Sequence, residues 1–123
     1  TQNTNNRGQE AITKSGDKNT LSTPSNKVQI LTLKAGKSAN TFAFYTGSGY
    51  LYAASSSKNY LKTETTLSAN SSWSISIAST GVATIKASGS NTKNWLRYNS
   101  SNNPPLFSCY SSGQADVVIY KWK

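Results

Sequence analysis

The sequence contains no histidine and only one cysteine, and these absences restrict its chemistry strongly. Without histidine there is no Ser-His-Asp triad, no Cys-His pair and no imidazole ligand for a metal. The chain has only four acidic residues, Glu10, Asp17, Glu64 and Asp116. A two-carboxylate hydrolase would need two of them to converge, and none stands in a recognisable catalytic motif. We therefore predict that the protein is not an enzyme and holds neither a metal nor an organic cofactor.

Long apolar runs are also missing. No stretch approaches the roughly 18 consecutive apolar residues of a membrane-spanning helix, and the mean hydropathy is −0.54. We expect no membrane span. The 123 residues suffice for one domain with one core, so we predict a single β-rich binding domain over residues 1–123. Thr1 is not a natural start, and we expect a segment upstream of it to have been removed.

The single cysteine, Cys109, has no partner for a disulfide within the chain. It alternates with Phe107 in an apolar run, as expected of one face of a strand. An unpaired cysteine in such a run behaves as a small hydrophobic residue. We predict that Cys109 is a buried, unreactive thiol.

Acidic residues are scarce relative to basic ones. Thirteen Lys and Arg residues oppose four acids, which gives a net charge of +9 and an isoelectric point near 9.8. Such an excess favours anionic partners that carry phosphate, sulfate or uronate groups, including nucleic acid. Because the basic residues are scattered along the chain, solubility alone is the alternative explanation.

What the sequence has in abundance is small polar residues: Ser, Thr and Asn together number 48. These side chains compete with helical hydrogen bonds and favour turns and strand ends. Apolar residues alternate with period two between the turns, and no segment has the spacing of an amphipathic helix. Short strands with frequent turns are typical of a sandwich or a barrel. The ten predicted strands are 9–14, 28–34, 41–46, 49–54, 59–65, 72–78, 81–87, 94–99, 106–110 and 116–122, and 15–27 is predicted to be a loop.

A weak internal repeat narrows the fold further. Similar apolar–polar strand starts occur at Val28, Trp73 and Val117, which are 45 and 44 residues apart. Three four-stranded units of about 40 residues are the plan of a β-trefoil. We predict a β-trefoil-like fold with ten of its twelve strands in this chain and an N-terminal hairpin missing. A shorter echo, between 58–62 and 93–97, implies another register and keeps a β-sandwich or barrel as the alternative.

Five segments of the chain have a familiar pattern: 49–62, 72–75, 93–99, 106–110 and 114–121. They resemble a β-rich domain at the C-terminus of secreted proteins and lipoproteins of gut Bacteroidales. The resemblance implies an extracellular or cell-surface location. It implies no catalytic residue. Members of that family begin with an additional hydrophobic hairpin, which this chain lacks.

Strand alternation predicts where a ligand binds. If Leu51, Leu61 and Leu96 point inward, their neighbours in the same strands point outward. An outward aromatic ring beside a cation suits a sugar, because the ring stacks on C–H groups while Lys, Arg or Asn bonds hydroxyl or acid groups. The same pair suits a nucleobase. The candidate ligand-binding residues are Tyr50, Tyr52, Asn59, Tyr60, Lys62, Asn94, Trp95 and Arg97.

Each of these aromatic residues also has a structural interpretation. Arg97 can cover the indole of Trp95 as a cation–π packing pair, and the tyrosines can serve as strand-face packing. Trp73 is predicted to be core because Ile75 and Ile77 follow it in phase. The other predicted core or core-adjacent residues are Phe42, Phe44, Val82, Ile85, Leu106, Val117 and Ile119.

Three functions therefore remain open. The first is lectin-like carbohydrate binding with a preference for anionic glycans. The second is sequence-independent binding of nucleic acid. The third is a structural or accessory role, in which an unpaired edge near Val28 or Lys121 accepts a strand from another chain or segment. The oligomeric state does not follow from the sequence.

Overall fold

The computed structural model describes residues 1–13 and 25–121 of the chain. This part consists of nine short β-strands, with one turn of 3₁₀ helix at Ala69–Ser71, so the all-β prediction is confirmed. The short strands follow from the alternation of apolar and small polar residues described above. The strands are β1 (Arg7–Gly8), β2 (Thr32–Ala35), β3 (Phe42–Tyr45), β4 (Tyr50–Ala53), β5 (Leu61–Glu64), β6 (Trp73–Ile77), β7 (Ala83–Ala87), β8 (Trp95–Asn99) and β9 (Leu106–Tyr110).

The strands form one antiparallel sheet that nearly closes into a barrel. Its order is β1-β9-β8-β7-β6-β3-β4-β5, and β2 pairs with β3 beside this path. The two ends of the path approach each other, because the Leu61 N–H donates to the Asn5 carbonyl at 2.8 Å. The Gln2 side-chain amide donates to the Leu61 carbonyl at 2.9 Å. This architecture fits the barrel alternative, and the finer trefoil assignment stays a prediction.

The predicted strands between 41 and 110 each correspond to an observed strand, and those at both ends of the described chain differ. The strand predicted at 28–34 begins only at Thr32, because Val28 closes a turn by donating to the Ser25 carbonyl at 3.1 Å. In place of 9–13, the N-terminal pairing is made by β1. Within 116–121, the described part of the strand predicted at 116–122, an isolated bridge at Val117 replaces the strand. Most of the predicted loop 15–27 lies outside the described residues.

The core confirms the predicted alternation at several positions. Leu51, Leu61 and Trp73 are at most 2% exposed, and Cys109 is fully buried. Leu96 is partly buried against the same cluster. Across β6 and β7 the large Trp73 opposes the small Ala87, so the indole fits within a closely packed interior.

Three residues predicted to be core are exposed: Phe42, Ile77 and Ile119. Ile77 is the last residue of β6 and lies beside the turn that leads to β7. Phe42 begins β3, and its register partner Ala35 is itself exposed. Ile119 follows the last bridge of the chain, at Val117. Phe42 and Ile77 lie at strand ends and Ile119 lies beyond the last bridge, and at none of these positions do the other described residues bury the side chain.

The C-terminal segment fills a gap between two strands. β7 and β8 pair only at Lys86 and Trp95 and then diverge. Beyond this point, Ala115 exchanges two backbone hydrogen bonds with Tyr98, at 2.9 and 3.2 Å. The Ala83 N–H donates to the Val117 carbonyl at 2.8 Å. Residues 115–117 therefore take the place of a strand, which brings Asp116 beside β8.

In the described part of the chain, β2 has a partner on one side only. All four of its residues are exposed, and Leu33 retains 55% of its accessible surface. The unpaired edge predicted near Val28 therefore lies a few residues further along the chain. Exposed strand edges can pair with other chains.

Because Cys109 is buried, the reactivity of its thiol can be used to test whether the sheet is closed. Desolvation raises the pKa of its thiol to about 12. Because the folded-state pKa lies above the ordinary value of 9.0, folding favours the neutral thiol, and this contribution is lost as the pH rises from about 9 to 12. We expect native protein at pH 8 to react with a thiol-specific disulfide reagent at least about a hundredfold more slowly than unfolded protein. Equal rates in the absence and presence of denaturant would contradict this burial.

Candidate functional site

Four tyrosines and two lysines form a continuous row on the outside of β2, β3, β4 and β5. Tyr45 and Tyr50 face each other across the β3–β4 turn, with ring centroids 5.2 Å apart and planes tilted by 49°. Tyr52 follows on the same face of β4 and opposes Lys62 of β5. We call the row Lys34, Tyr45, Tyr50, Tyr52, Tyr60 and Lys62 the tyrosine–lysine stripe.

The two lysines of the stripe lie against its rings. The Lys34 ammonium is 4.1 Å from the centroid of Tyr45, and the Lys62 ammonium is 4.9 Å from that of Tyr60. Both are within the range of a cation–π interaction. The tyrosines are all half-buried, whereas Leu51 and Leu61 on the opposite face are buried. The stripe therefore presents partly open rings next to positive charge.

One acidic residue lies near the stripe, and its carboxylate accepts hydrogen bonds from two serine hydroxyl groups. Glu64 lies opposite Tyr50 in the β4–β5 register. Its carboxylate accepts hydrogen bonds from the Ser68 hydroxyl at 2.5 Å and the Ser71 hydroxyl at 2.7 Å. Because these donors satisfy one carboxylate oxygen, Glu64 is tied to the 3₁₀ turn. Among the described residues, Glu64 makes no ion pair with either lysine of the stripe.

The predicted outward position of Arg97 is wrong. Arg97 is 8% exposed. Its Nη1 lies 3.0 Å from Oδ1 of Asp116, and its Nη2 donates to the Gln114 carbonyl at 2.9 Å. The physical reason is the C-terminal segment, which lies beside β8 and covers the guanidinium. Arg97 is thus a packing residue, with its charge neutralised inside the fold.

The contacts of Trp95 confirm that Arg97 covers its indole in a cation–π contact. The guanidinium carbon of Arg97 is 4.1 Å from the indole centroid, and the Lys86 ammonium is 4.9 Å from it. Arg97 stacks from the same strand, two residues along β8, and Lys86 from the neighbouring strand. The indole N–H and Arg97 Nε are both buried without an acceptor in the described part of the chain. Two cations already occupy the contacts that a ligand would need at this ring.

The two candidate asparagines lie in different surroundings. Asn59 is exposed and precedes Tyr60 at the end of the stripe, and its carbonyl accepts from the Ser108 hydroxyl at 2.6 Å. Asn94 is half-buried and donates its side-chain amide to the Ala87 carbonyl at 3.4 Å. The structure thus brings Tyr50, Tyr52, Tyr60 and Lys62 together with Asn59 nearby. It places Asn94, Trp95 and Arg97 at β8, which pairs with neither β4 nor β5.

Sequence reasoning missed two members of the stripe, Lys34 and Tyr45. Tyr45 has a local signal, because it directly precedes the four-residue turn 46–49 whose other end leads to Tyr50. Residues that flank such a turn are cross-strand neighbours. Lys34 has no such signal, since its position depends on the pairing of β2 with β3.

The described residues contain no group of three or more His, Cys, Asp or Glu side chains that is able to hold a metal ion. Within 1–13 and 25–121, no helix has the length and hydropathy needed to cross a bilayer.

Comparison with known proteins finds no similarity: no family model matches the chain, and no curated protein or solved structure is significantly similar to it. The resemblance to the Bacteroidales domain stays a prediction.

Proposed function

We propose that the protein is a non-catalytic module that binds anionic glycans at the tyrosine–lysine stripe, in an extracellular or cell-surface location. The observation that carries the proposal is the unbroken row of half-exposed rings in which both lysines lie over a tyrosine. Trp95 and Arg97, which sequence reasoning favoured, are not part of this surface.

The chemistry of the stripe matches that of an acidic sugar. A pyranose presents C–H groups that pack on an aromatic face, while the tyrosine hydroxyl groups exchange hydrogen bonds with its hydroxyls. The ammonium groups of Lys34 and Lys62 pair with carboxylate or sulfate groups. Each exposed ion pair contributes only about 0.2–1 kcal/mol, so affinity requires several sugars along the row. The net charge of +9 attracts a polyanion to the whole surface.

Single-stranded nucleic acid is the second candidate, because the same rings and cations suit bases and phosphates. Stacking is worth about 1–3 kcal/mol per base where a full ring face is open. Tyr45 and Tyr50 are tilted against each other and already in contact, so no base fits between them. The rings of Tyr45 and Tyr60 each have an ammonium above them. Bases stacked in a row would need several open ring faces, whereas a single pyranose needs one, and the ring of Tyr52 makes no ring or cation contact with the described residues.

Two other expectations from the sequence bear on the function: the trefoil-like repeat and the structural alternative. The predicted trefoil-like repeat is compatible with carbohydrate binding, but folds of this kind host unrelated functions. The structural alternative, completion by a strand from another segment, is favoured by the exposed edge of β2. Neither explains why rings and lysines follow one another along the stripe.

The test is a titration of the protein with acidic oligosaccharides, neutral oligosaccharides and single-stranded DNA at two salt concentrations. We expect saturable binding of a sulfated or uronate-containing glycan that weakens with salt. Tyr52→Ala should reduce the affinity roughly five- to tenfold, or about 1.0–1.4 kcal/mol, and Lys62→Gln roughly two- to fivefold, or about 0.4–1.0 kcal/mol.

Lys27→Gln is the matched control, because it removes the same charge at an exposed position outside the stripe. It should leave the affinity within about twofold of the unchanged protein. An equal loss in Lys27→Gln and Lys62→Gln would show that net charge alone attracts the glycan. Binding of DNA with no binding of any acidic glycan would overturn the proposal in favour of the second candidate.

A further inference from the structure

A cleft of about 320 Å³ lies where the N-terminal segment meets the turn before β9. One side consists of four consecutive polar residues, Asn3, Thr4, Asn5 and Asn6, and Asn102 faces them from the other segment. The volume is within the range of small-molecule sites. The cleft shares no residue with the tyrosine–lysine stripe.

The polar wall of the cleft is held in place by backbone hydrogen bonds. The Asn3 N–H donates to the Asn6 carbonyl at 2.7 Å, and the Gly8 N–H donates to the Thr1 carbonyl at 2.9 Å. The carbonyl of Asn5 accepts from the Leu61 N–H of β5 at 2.8 Å. These bonds fix the turn to the closed end of the sheet, so a ligand meets groups that are already ordered.

Some polar side chains of this wall form hydrogen bonds within the protein, and others do not. The Asn3 amide donates to the Asn6 Oδ1 at 2.8 Å, and the Asn102 amide donates to the Pro104 carbonyl at 2.8 Å. Among the described residues, the side chains of Thr4 and Asn5 have no hydrogen-bond partner. An asparagine amide both donates and accepts. The cleft therefore presents a free hydroxyl and a free amide on a backbone that is held by hydrogen bonds.

The remaining wall is apolar and carries no charge. It is formed by Pro104, Pro105 and Leu106. Arg7 lies next to the polar wall in sequence, but it is buried and its Nη1 donates to Gln2 Oε1 at 3.0 Å. Burial lowers the pKa of this guanidinium below its ordinary value. None of the described residues that line the cleft is charged, so in a chain with a net charge of +9 we expect the cleft to attract anions less than the rest of the surface does.

We infer that this cleft, the asparagine cleft, binds one uncharged sugar residue. Hydroxyl pairs of a pyranose match the free amide and hydroxyl groups of Thr4 and Asn5, and its C–H face matches the proline and leucine wall. A nucleotide would lack both of its usual contacts, because the cleft residues that the structure describes include no aromatic ring, lysine or arginine. The inference does not rest on the stripe, and it adds a neutral subsite to a surface that is otherwise basic.

The test is an NMR titration of the full chain with methyl glycosides of neutral hexoses, a deoxyhexose and an N-acetylhexosamine. We expect at least one of them to shift the side-chain amide signals of Asn5 and Asn102 in a saturable manner at millimolar concentrations. Asn5→Ala should weaken this binding at least fivefold. Raising the salt concentration should leave it within twofold, because no charge takes part.

Two further variants complete the test. Gly8→Val adds a side chain at the cleft, where a Cβ would lie 3.8 Å from Nδ2 of Asn3, and should abolish the shifts. Asn26→Ala removes an exposed asparagine outside the cleft and should change nothing. If Gly8→Val does not fold, Asn5→Ala decides, because the side chain of Asn5 has no protein partner to lose.

Three outcomes would overturn the inference. The first is that no neutral glycoside produces saturable shifts at the cleft. The second is equal affinity in the unchanged protein and in Asn5→Ala. The third is that acetamide or glycerol shifts the same signals as strongly as any sugar, which would indicate unspecific solvation of the amides. Loss of acidic-glycan binding in Lys62→Gln, with the neutral-sugar shifts retained, separates the stripe from the cleft.

Discussion

Replacing Trp73 with alanine will lower the free energy of unfolding by about 3–5 kcal/mol. Trp73 is fully buried at the start of β6, and its ring lies against Phe44 at 6.2 Å between centroids. The substitution removes the largest side chain of the core and leaves a cavity between β3 and β7. The expected fall in melting temperature is roughly 12–20 °C, measurable by thermal and urea denaturation.

Trp73→Phe separates packing from hydrogen bonding at the same position. The indole N–H donates to the Leu51 carbonyl at 3.1 Å in the buried interior. Phenylalanine retains much of the ring contact but leaves that carbonyl without this donor, at a cost of about 1–3 kcal/mol. The control is Ile77→Ala, because Ile77 lies on the same strand and is 61% exposed. A change in Ile77→Ala comparable to that in Trp73→Ala would contradict the barrel interior described here.

Replacing Arg97 with alanine will cost about 2–3 kcal/mol, the second-largest effect that we expect. The guanidinium loses the ion pair with Asp116, the bond to the Gln114 carbonyl and the contact with Trp95. The side chain of Asp116 is 60% exposed, so water solvates the carboxylate that remains. For this reason we expect less than the 3–5 kcal/mol that follows the breaking of a fully buried ion pair.

Arg97→Ala should destabilise one region of the protein first. Arg97 holds residues 114–116 against β8, so its removal should release the C-terminal segment before the rest of the sheet. Hydrogen exchange at the amides of Tyr98 and Ala115, which bond to each other's carbonyls, should accelerate more than exchange at Ile75 in β6.

Lys86→Ala provides the matched control for Arg97→Ala. Lys86 also lies over the indole of Trp95, but its side chain is exposed, and no hydrogen bond or ion pair joins it to the described C-terminal residues 111–121. Its loss should cost less than about 1 kcal/mol. If Lys86→Ala accelerates exchange at Ala115 as much as Arg97→Ala does, the C-terminal segment is held by the general charge of the surface and not by the Arg97 contacts.

Several features of the site were predictable because they are local. Tyr50 and Tyr52 alternate with Leu51 and Ala53, and alternation in a strand sends neighbours to opposite faces. The same rule correctly predicted the burial of Leu61 and Trp73. This prediction does not require the pairing of the strands to be known, because the period of two is a property of the extended backbone.

The same rule led to a wrong prediction of the exposure of Arg97, which is 8% exposed. Alternation correctly separates Arg97 from Leu96, but it says only that the two side chains point to opposite faces. Whether the outer face meets water depends on residues 114–117, which lie beside β8 through contacts across the sheet. A covering segment of this kind has no signature in the sequence around Arg97.

Composition and period two determined that this protein is a β-sheet structure without histidine chemistry, with Leu51, Leu61 and Trp73 inside and an excess of positive charge. Tertiary structure decided which rings remain open, since Lys34 reached Tyr45 only through the pairing of β2 with β3, and Asp116 reached Arg97 only through the gap between β7 and β8. It also created the asparagine cleft from segments about 100 residues apart. The division has one physical cause: backbone geometry sets the face of a side chain within its own strand, whereas its neighbours are set by contacts with distant parts of the chain.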